Sequence, residues 1–99
     1  MSLNSDNCYQ LLQQIPLGKV SSYKIIAEKM GSKAYRAVGQ MIGKNPSAPQ
    51  VPCHRIVKSD GSLGGYAFGI DKKIELLQAE GIKIKNGKIV DFAKIIHKF

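Results

Sequence analysis

The sequence predicts a mainly α-helical domain with one small β-hairpin, built around a helix-turn-helix and similar to a winged helix. In the first half, apolar residues recur at helical spacing in three segments, and a glycine lies between the second and the third. Near the C-terminus, Asn86-Gly87 lies between two alternating runs, which is typical of a hairpin. With 99 residues, 43% hydrophobic and 22% charged, we expect one globular domain over residues 1–99.

The first helix is predicted over residues 5–14, capped by Ser5 or Asp6 and ended by Pro16. Its apolar face consists of Cys8, Leu11, Leu12 and Ile15. Because Cys8 falls on this face, we expect it to be a buried small hydrophobic residue and not a reactive thiol.

The second and third helices are predicted over residues 22–30 and 33–44. Gly31 supplies the stop between them, and Ser32 is the expected cap of the third helix. The inward residues are expected to be Ile25, Ile26, Met30, Ala34, Val38, Met41 and Ile42. A pair of helices with such a turn is found in DNA-binding proteins and also in proteins that never contact DNA.

The second half alternates short elements with breaks. Prolines predict an extended loop over residues 45–52, and Ile56-Val57 predicts a short strand. A helix is predicted over residues 70–80, a hairpin over 82–90, and a closing helical turn capped by Asp91. The apolar face of that helix is formed by Ile74, Leu76 and Leu77.

The net charge of +8 is concentrated in residues 19–58, which carry eight basic residues and one acidic residue. This segment coincides with the predicted helix-turn-helix. It suits a polyanionic partner such as nucleic acid or an acidic membrane surface, although a solvated lysine-rich surface has the same composition. No apolar run approaches the ~18 residues of a membrane helix, and no signal peptide precedes the domain. We therefore expect a cytoplasmic protein, or a nuclear one in a eukaryote, without membrane contact.

Cys53 and His54 are the candidate reactive pair. A thiol attacks as the thiolate, and a histidine is a common base for it. Adjacent side chains diverge on a strand and on a helix, so the pair would need a bridging water or a sharp turn. A carboxylate that orients the histidine is expected among Asp60, Asp71, Glu75 and Glu80, and spacing alone does not choose one. From these residues alone, a structural cysteine beside an incidental histidine remains an equal alternative.

Several runs of residues together resemble one known family. These runs are Asn45-Pro46, Pro52-Cys53-His54-Arg55-Ile56-Val57 and Gly61-Ser62-Leu63-Gly64-Gly65-Tyr66, with further matches over residues 15–23, 35–39 and 76–81. They are similar to the 6-O-alkylguanine-DNA alkyltransferases, also called methylated-DNA-protein-cysteine methyltransferases. Members of this family transfer an alkyl group from guanine oxygen 6 in DNA irreversibly to their own cysteine.

The resemblance implies the catalytic roles. Cys53 is the alkyl acceptor, and His54 is the base that acts through a water. Glu80 orients the imidazole and stabilises its charged form. Asn45 braces the turn after the third helix, and Tyr23 crowds the target phosphate and donates its hydroxyl to the flipped guanine.

The resemblance also implies the DNA-contacting surface and the base pocket. Arg36 enters the stack vacated by the flipped nucleotide, and Gln40 is the other side chain of the third helix able to read a base edge. Small residues let this helix approach the minor groove closely; they are Ala34, Ala37 and Gly39. The pocket is expected to be lined by Ile42, Ile56, Tyr66, Ala67, Phe68 and Gly69.

The function implied is single-turnover DNA repair by a monomer acting on double-stranded DNA that contains 6-O-alkylguanine. We expect no cofactor and no metal, since Cys53-His54 lacks the spaced ligand pairs of a zinc site. We also expect the N-terminal domain of many relatives to be absent. One alternative is an alkyltransferase-like protein that binds damage without transfer, although such proteins replace the acceptor cysteine. Another is a Cys-His hydrolase, against which the basic segment and the lack of an evident oxyanion loop count.

Overall fold

The computed structural model describes residues 4–44, 52–66 and 68–99. It confirms a mainly helical chain with a small hairpin. The helices within these ranges are α1 (Ser5–Gln13), α2 (Tyr23–Lys29), α3 (Tyr35–Gly43), α4 (Ile70–Ala79) and α5 (Phe92–Ile95). The strands are β1 (Ser21–Ser22), β2 (Ile56–Val57), β3 (Ile84–Lys85) and β4 (Lys88–Ile89). Residues Cys53–Arg55 form a 3₁₀ turn, called here the cysteine turn. Among the described helices, none has the length and apolar character needed to cross a membrane.

Helix α1 starts one residue earlier than its predicted cap. Asn4 has an extended backbone, and its side chain accepts a hydrogen bond from the Asn7 N–H at 2.9 Å. The predicted cap at Ser5 or Asp6 is wrong, because both residues already lie within the helix and asparagine is as good a cap. The predicted apolar face is confirmed, since Cys8, Leu11, Leu12 and Ile15 are all buried.

Helices α2 and α3 pack against each other as the predicted pair. Ser22 caps α2 by accepting the N–H of the third helical residue at 3.1 Å, and Gly31, with φ +72°, ends the turn after it. The prediction that Ser32 caps α3 is wrong. Ser32 instead accepts the N–H of Ala34 at 2.9 Å in a local turn, so Ala34 takes the cap position without a side-chain bond and α3 begins two residues late.

A parallel pairing that the sequence did not predict joins the two halves of the chain. Strand β1 pairs with β2, with Ser21 opposite Ile56. Val20 also forms a parallel bridge with Ile96, so the C-terminal segment extends the same small sheet. Because Tyr23 directly follows β1 and the cysteine turn directly precedes β2, this pairing brings the start of α2 to that turn.

The hairpin is confirmed around Asn86 and Gly87, whose φ values of +53° and +73° suit a two-residue turn of the I′ type. It leans on the segment before α4, because the Ile89 N–H donates to the Gly61 carbonyl at 2.9 Å. The closing helical turn is also confirmed as α5. The predicted capping by Asp91 is wrong, since this residue has φ +56° and its side chain makes no capping bond.

Strand β2 lies between two hydrophobic clusters. Ile56 belongs to the cluster formed with α1, α2 and α3, whereas Val57 belongs to the cluster formed with α4 and the hairpin. Successive strand side chains point to opposite faces, so a two-residue strand contributes to both. Since Cys53 also belongs to the first cluster, the cysteine turn is anchored where the two clusters meet.

Candidate active site

A cavity of about 310 Å³ opens beside the cysteine turn. It lies between α2, α3, the turn and residues 63–66, called here the corner. Its lining consists of Tyr23, Gly39, Ile42, Gly43, Cys53, Gly65 and Tyr66. This volume is at the small end of ligand pockets, which suits one small group such as a nucleobase. Five predicted site residues therefore meet around one cavity.

Other predicted site residues lie elsewhere. Ile56 is fully buried in the first cluster, and Phe68 and Gly69 are exposed, so none of these three lines the cavity. Phe68 instead packs edge-on against Tyr66, with ring centroids 5.6 Å apart. Asn45 and Ala67 lie outside the described residues. Sequence reasoning missed Gly43 and Gly65 as lining residues, because a glycine gives no side-chain signal for a pocket.

Behind Cys53, the structure brings Glu80 to His54. His54 Nε2 lies 2.8 Å from Glu80 Oε2. Arg55 donates from Nε to Oε1 and from Nη2 to Oε2 of the same carboxylate, both at 2.9 Å. Its Nη1 donates to the Ile15 carbonyl at 2.7 Å. Of the four candidate carboxylates, Glu80 is thus the one that contacts the histidine, and Arg55 is a supporting residue to which sequence reasoning gave no role.

The charge of Glu80 follows from these contacts. Burial alone would raise the pKa of Glu80, but hydrogen bonds from Arg55 and His54, together with their charges, outweigh it and hold the pKa below its usual value. A carboxylate beside Nε2 favours the tautomer with the proton on that nitrogen, which leaves the lone pair on Nδ1. Nδ1 is buried and has no hydrogen-bond partner among the described residues, so it is available to accept a proton.

Two tyrosine hydroxyls contribute to the cavity. Burial raises the pKa of Tyr23, and the negative charge of Cys53 raises it further. Burial also raises the pKa of Tyr66 to about 12, again with a contribution from Cys53. The Tyr66 hydroxyl lies near enough to feel that charge but has no hydrogen bond of normal geometry within the described ranges. Both hydroxyls therefore keep their protons at neutral pH and are potential donors to a ligand.

Two glycines allow Tyr23 to lie in the wall of the cavity. Gly64 in the corner has φ +71°, and a side chain there would start 3.4 Å from the ring and hydroxyl of Tyr23. On the other side, a side chain at Gly39 of α3 would start 3.9 Å from the same ring. Tyr23 is thus held between α3 and the corner.

A basic groove continues from the cavity across the surface. It shares Tyr23 and Gly39 with the cavity. Its lining includes Tyr23, Lys24, Tyr35, Arg36, Gly39, Gln40, Lys58 and Ser59. Arg36, Gln40 and Ala34 are exposed, and Ala37 is half-buried. Lys24 and Lys58 are additional cations that the sequence assigned only to the general charge of the segment.

Cys8 is separate from this chemistry. It is fully buried in the first cluster, and burial raises the pKa of its thiol to about 11. This confirms the expected packing role. Within the described ranges, no group of three metal-ligating side chains comes together.

The comparisons with known proteins support the resemblance seen in the sequence. The family model for the DNA-binding domain of 6-O-methylguanine DNA methyltransferase matches residues 4–82. The chain belongs to the 6-O-methylguanine DNA methyltransferase family. Among its methyltransferase relatives, a bifunctional methyltransferase/endonuclease of Picrophilus torridus is 49% identical over 82 residues, which is 82% of this chain. A methylated-DNA–protein-cysteine methyltransferase of Saccharolobus solfataricus is 43% identical over 76 residues, or 77% of this chain. The chain spans 28% and 49% of the lengths of these relatives.

Solved structures of the methyltransferase family have the same fold. Mycobacterium tuberculosis OGT in complex with DNA aligns with a TM-score of 0.74 and 43% identity, covering 77% of this chain and 48% of that one. S. pombe Atl1 in complex with damaged DNA containing O6-carboxymethylguanine aligns with a TM-score of 0.84 and 27% identity, covering 96% of this chain and 94% of that one. The predicted fold class is thereby confirmed.

Proposed function

We propose that this chain repairs DNA by accepting an alkyl group from guanine oxygen 6 onto Cys53, once per protein molecule. The observation that carries the proposal is the position of Cys53 on the wall of a nucleobase-sized cavity, with the His54–Glu80 pair directly behind it. The names of the methyltransferase relatives support the same reaction class.

In the proposed reaction, the Cys53 sulfur attacks the alkyl carbon in line with its bond to oxygen 6. The S–C bond forms as the C–O bond breaks, and the electron pair of the C–O bond goes to the guanine. The thiol proton passes through a water to Nδ1 of His54, and Glu80 stabilises the resulting imidazolium. The Tyr23 hydroxyl donates a proton to the leaving guanine, and exchange with solvent restores both side chains.

The basic groove is the proposed path for the DNA strand that carries the lesion. Its cations match phosphate charge, and its opening adjoins the cavity that would receive the base. A base inside a duplex is inaccessible to a buried thiol, so the nucleotide must rotate out of the stack. Arg36, which is exposed on α3, is the proposed side chain that fills the vacated space.

A second candidate function is recognition of alkylated DNA without transfer. It is favoured by one observation: the Atl1 structure covers nearly the whole of this chain with a TM-score of 0.84. The presence of Cys53 in the cavity wall favours transfer, because a nucleophile has no task in a protein that only binds.

Intact mass spectrometry distinguishes these functions. We expect incubation with duplex DNA containing 6-O-methylguanine to add the mass of one methyl group to the wild-type protein and to Cys8→Ser. Cys53→Ser should bind the DNA but gain no mass. Binding by the wild type without a mass increase would favour recognition alone. Repeated turnover that leaves the protein mass unchanged would favour a Cys-His hydrolase.

A further inference from the structure

A buried lysine contacts the active-site region from α4. Lys73 has no exposed surface and is the largest fully buried side chain among the described residues. Its Nζ donates to the carbonyls of Ile56, Leu63 and Gly65, at 2.6, 2.5 and 3.1 Å. An ammonium group has three donors and no acceptor, so three carbonyls satisfy it completely.

The burial of Lys73 is costly and therefore calls for an explanation. Lysines are almost never fully buried unless they are paired. Its neighbour Lys72 shows the usual arrangement, with a side chain 49% exposed and a surface ion pair to Glu75 at 3.4 Å. Burial lowers the pKa of Lys73 to about 8, and the negative charge of Cys53 opposes this shift. The cation is thus buried on the same side of α4 as the reactive cysteine.

Lys73 and Glu80 lie on one face of α4 and its C-terminal cap. They are seven residues apart, which is close to two helical turns, and the buried Leu77 lies between them. Glu80 binds His54 and Arg55 of the cysteine turn, while Lys73 binds the strand that follows this turn. One helix face therefore holds the cysteine turn and β2 together.

The other two contacts of Lys73 fall in the corner. Leu63 and Gly65 lie on either side of Gly64, which approaches Tyr23, and Gly65 itself lines the cavity next to Tyr66. The ammonium group thus ties the corner to β2 at a single point. Without it, three carbonyl groups would have no charged donor, and the corner would be free to move away from the cysteine turn.

We propose that Lys73 is a positioning residue for the transfer reaction, whose ammonium group holds the corner of residues 63–66 at the distance from Cys53 that the flipped base requires. This inference rests on the proposed function. Lys73 does not itself contact the base. It sets the width of the cavity by fixing the backbone that carries Tyr66.

The test separates transfer rate from DNA affinity at a temperature where circular dichroism shows each variant fully folded. Lys73→Met keeps most of the apolar stem and removes the donors. We expect its transfer rate at saturating 6-O-methylguanine duplex to fall at least about tenfold, the effect of losing one hydrogen bond to a charged group. Its affinity for the DNA should stay within about threefold of wild type, because the groove cations are unchanged. Lys72→Met is the matched control and should behave as wild type in both measurements.

A second variant keeps the inference falsifiable if Lys73→Met does not fold. Lys73→Arg retains the charge and the donors, but its planar guanidinium directs them differently from an ammonium group. We expect a folded protein with wild-type affinity and a slowed transfer rate. A wild-type transfer rate in either folded variant would overturn the positioning role, as would losses of rate and affinity in equal proportion. Failure of the wild-type protein to transfer at all would instead refute the proposed function.

Discussion

Glu80 links the histidine, the arginine and the end of α1, so its neutralisation is the most informative single change. Glu80→Gln keeps the size of the side chain but replaces one carboxylate oxygen by an NH₂ group. The carboxylate accepts three hydrogen bonds, at 2.8, 2.9 and 2.9 Å, from two residues. In the variant, a donor faces the donors of Arg55 or His54, and no negative charge remains to stabilise an imidazolium.

The size of the effect follows from these contacts. A hydrogen bond to a charged group contributes about 1.5 to 3 kcal/mol. The bond to His54 strengthens as its imidazole gains a proton during thiolate formation, so its loss should slow transfer by about tenfold to a hundredfold. The two bonds from Arg55 are present throughout the reaction. Their loss should lower the free energy of unfolding by about 2 to 4 kcal/mol, since the Glu80 side chain is only 12% exposed.

The assay is single-turnover transfer with protein in excess over 6-O-methylguanine duplex, combined with urea unfolding. Glu75→Gln is the matched control, because Glu75 lies on the same helix with a side chain 69% exposed. It should leave the transfer rate unchanged. A wild-type transfer rate for folded Glu80→Gln would refute the reasoning and assign thiolate formation to another group.

The pH dependence of stability provides an independent check on Glu80. Its pKa is lower in the folded protein than in the unfolded chain. Its stabilising contribution is therefore fully present above the usual carboxyl pKa and is lost as pH falls through the lowered folded value. The stability difference between the wild type and Glu80→Gln should shrink in acid over that window. A difference that is constant across this pH range would contradict the ion-pair account.

Three further predictions concern the DNA surface and the second cysteine. Arg36→Ala should slow transfer on a well-paired duplex about tenfold or more, but much less on single-stranded DNA, where unstacking costs little; equal losses on both substrates would remove Arg36 from the flipping role. Lys24→Ala and Lys58→Ala should each reduce the salt slope of DNA affinity by about 0.9 for every phosphate that the lysine neutralises in the wild type, whatever the DNA sequence, whereas Lys85→Ala on the hairpin should not. Burial raises the pKa of Cys8 from 9.0 to about 11, so its stabilising effect is complete below pH 9 and lost towards pH 11. Urea unfolding should show that Cys8→Ala removes a decline of about 3 kcal/mol over this range. The opposite effect of Lys73, whose pKa is lowered, is common to both proteins and cancels. Parallel stability curves for the two proteins would contradict the Cys8 prediction.

Local patterns predicted most of the secondary structure. The face of α1, the stop at Gly31 and the hairpin at Asn86-Gly87 each depend on residues a few positions apart. The capping predictions at Ser32 and Asp91 failed because several polar residues near a helix start compete for the role. Only the backbone conformation decides which of them caps.

Long-range contacts could not be predicted in the same way. A two-residue strand such as β1 carries no alternation, so its pairing with β2 left no pattern in the sequence. Lys73 follows Lys72 in a helix and gives no sign that one of the two is buried. Glu80 and His54 are 26 residues apart, and spacing left four acids open. The assignment of Glu80 came from the family resemblance, and the structure supplies its contact.

The most direct test of the central claim is a stoichiometry measurement with methylated duplex in large excess over protein. We predict that the amount of repaired guanine reaches a plateau at one equivalent per protein. Peptide mapping should then place the methyl group on Cys53. A plateau above one equivalent, or a methyl group on any other residue, would contradict single transfer to Cys53.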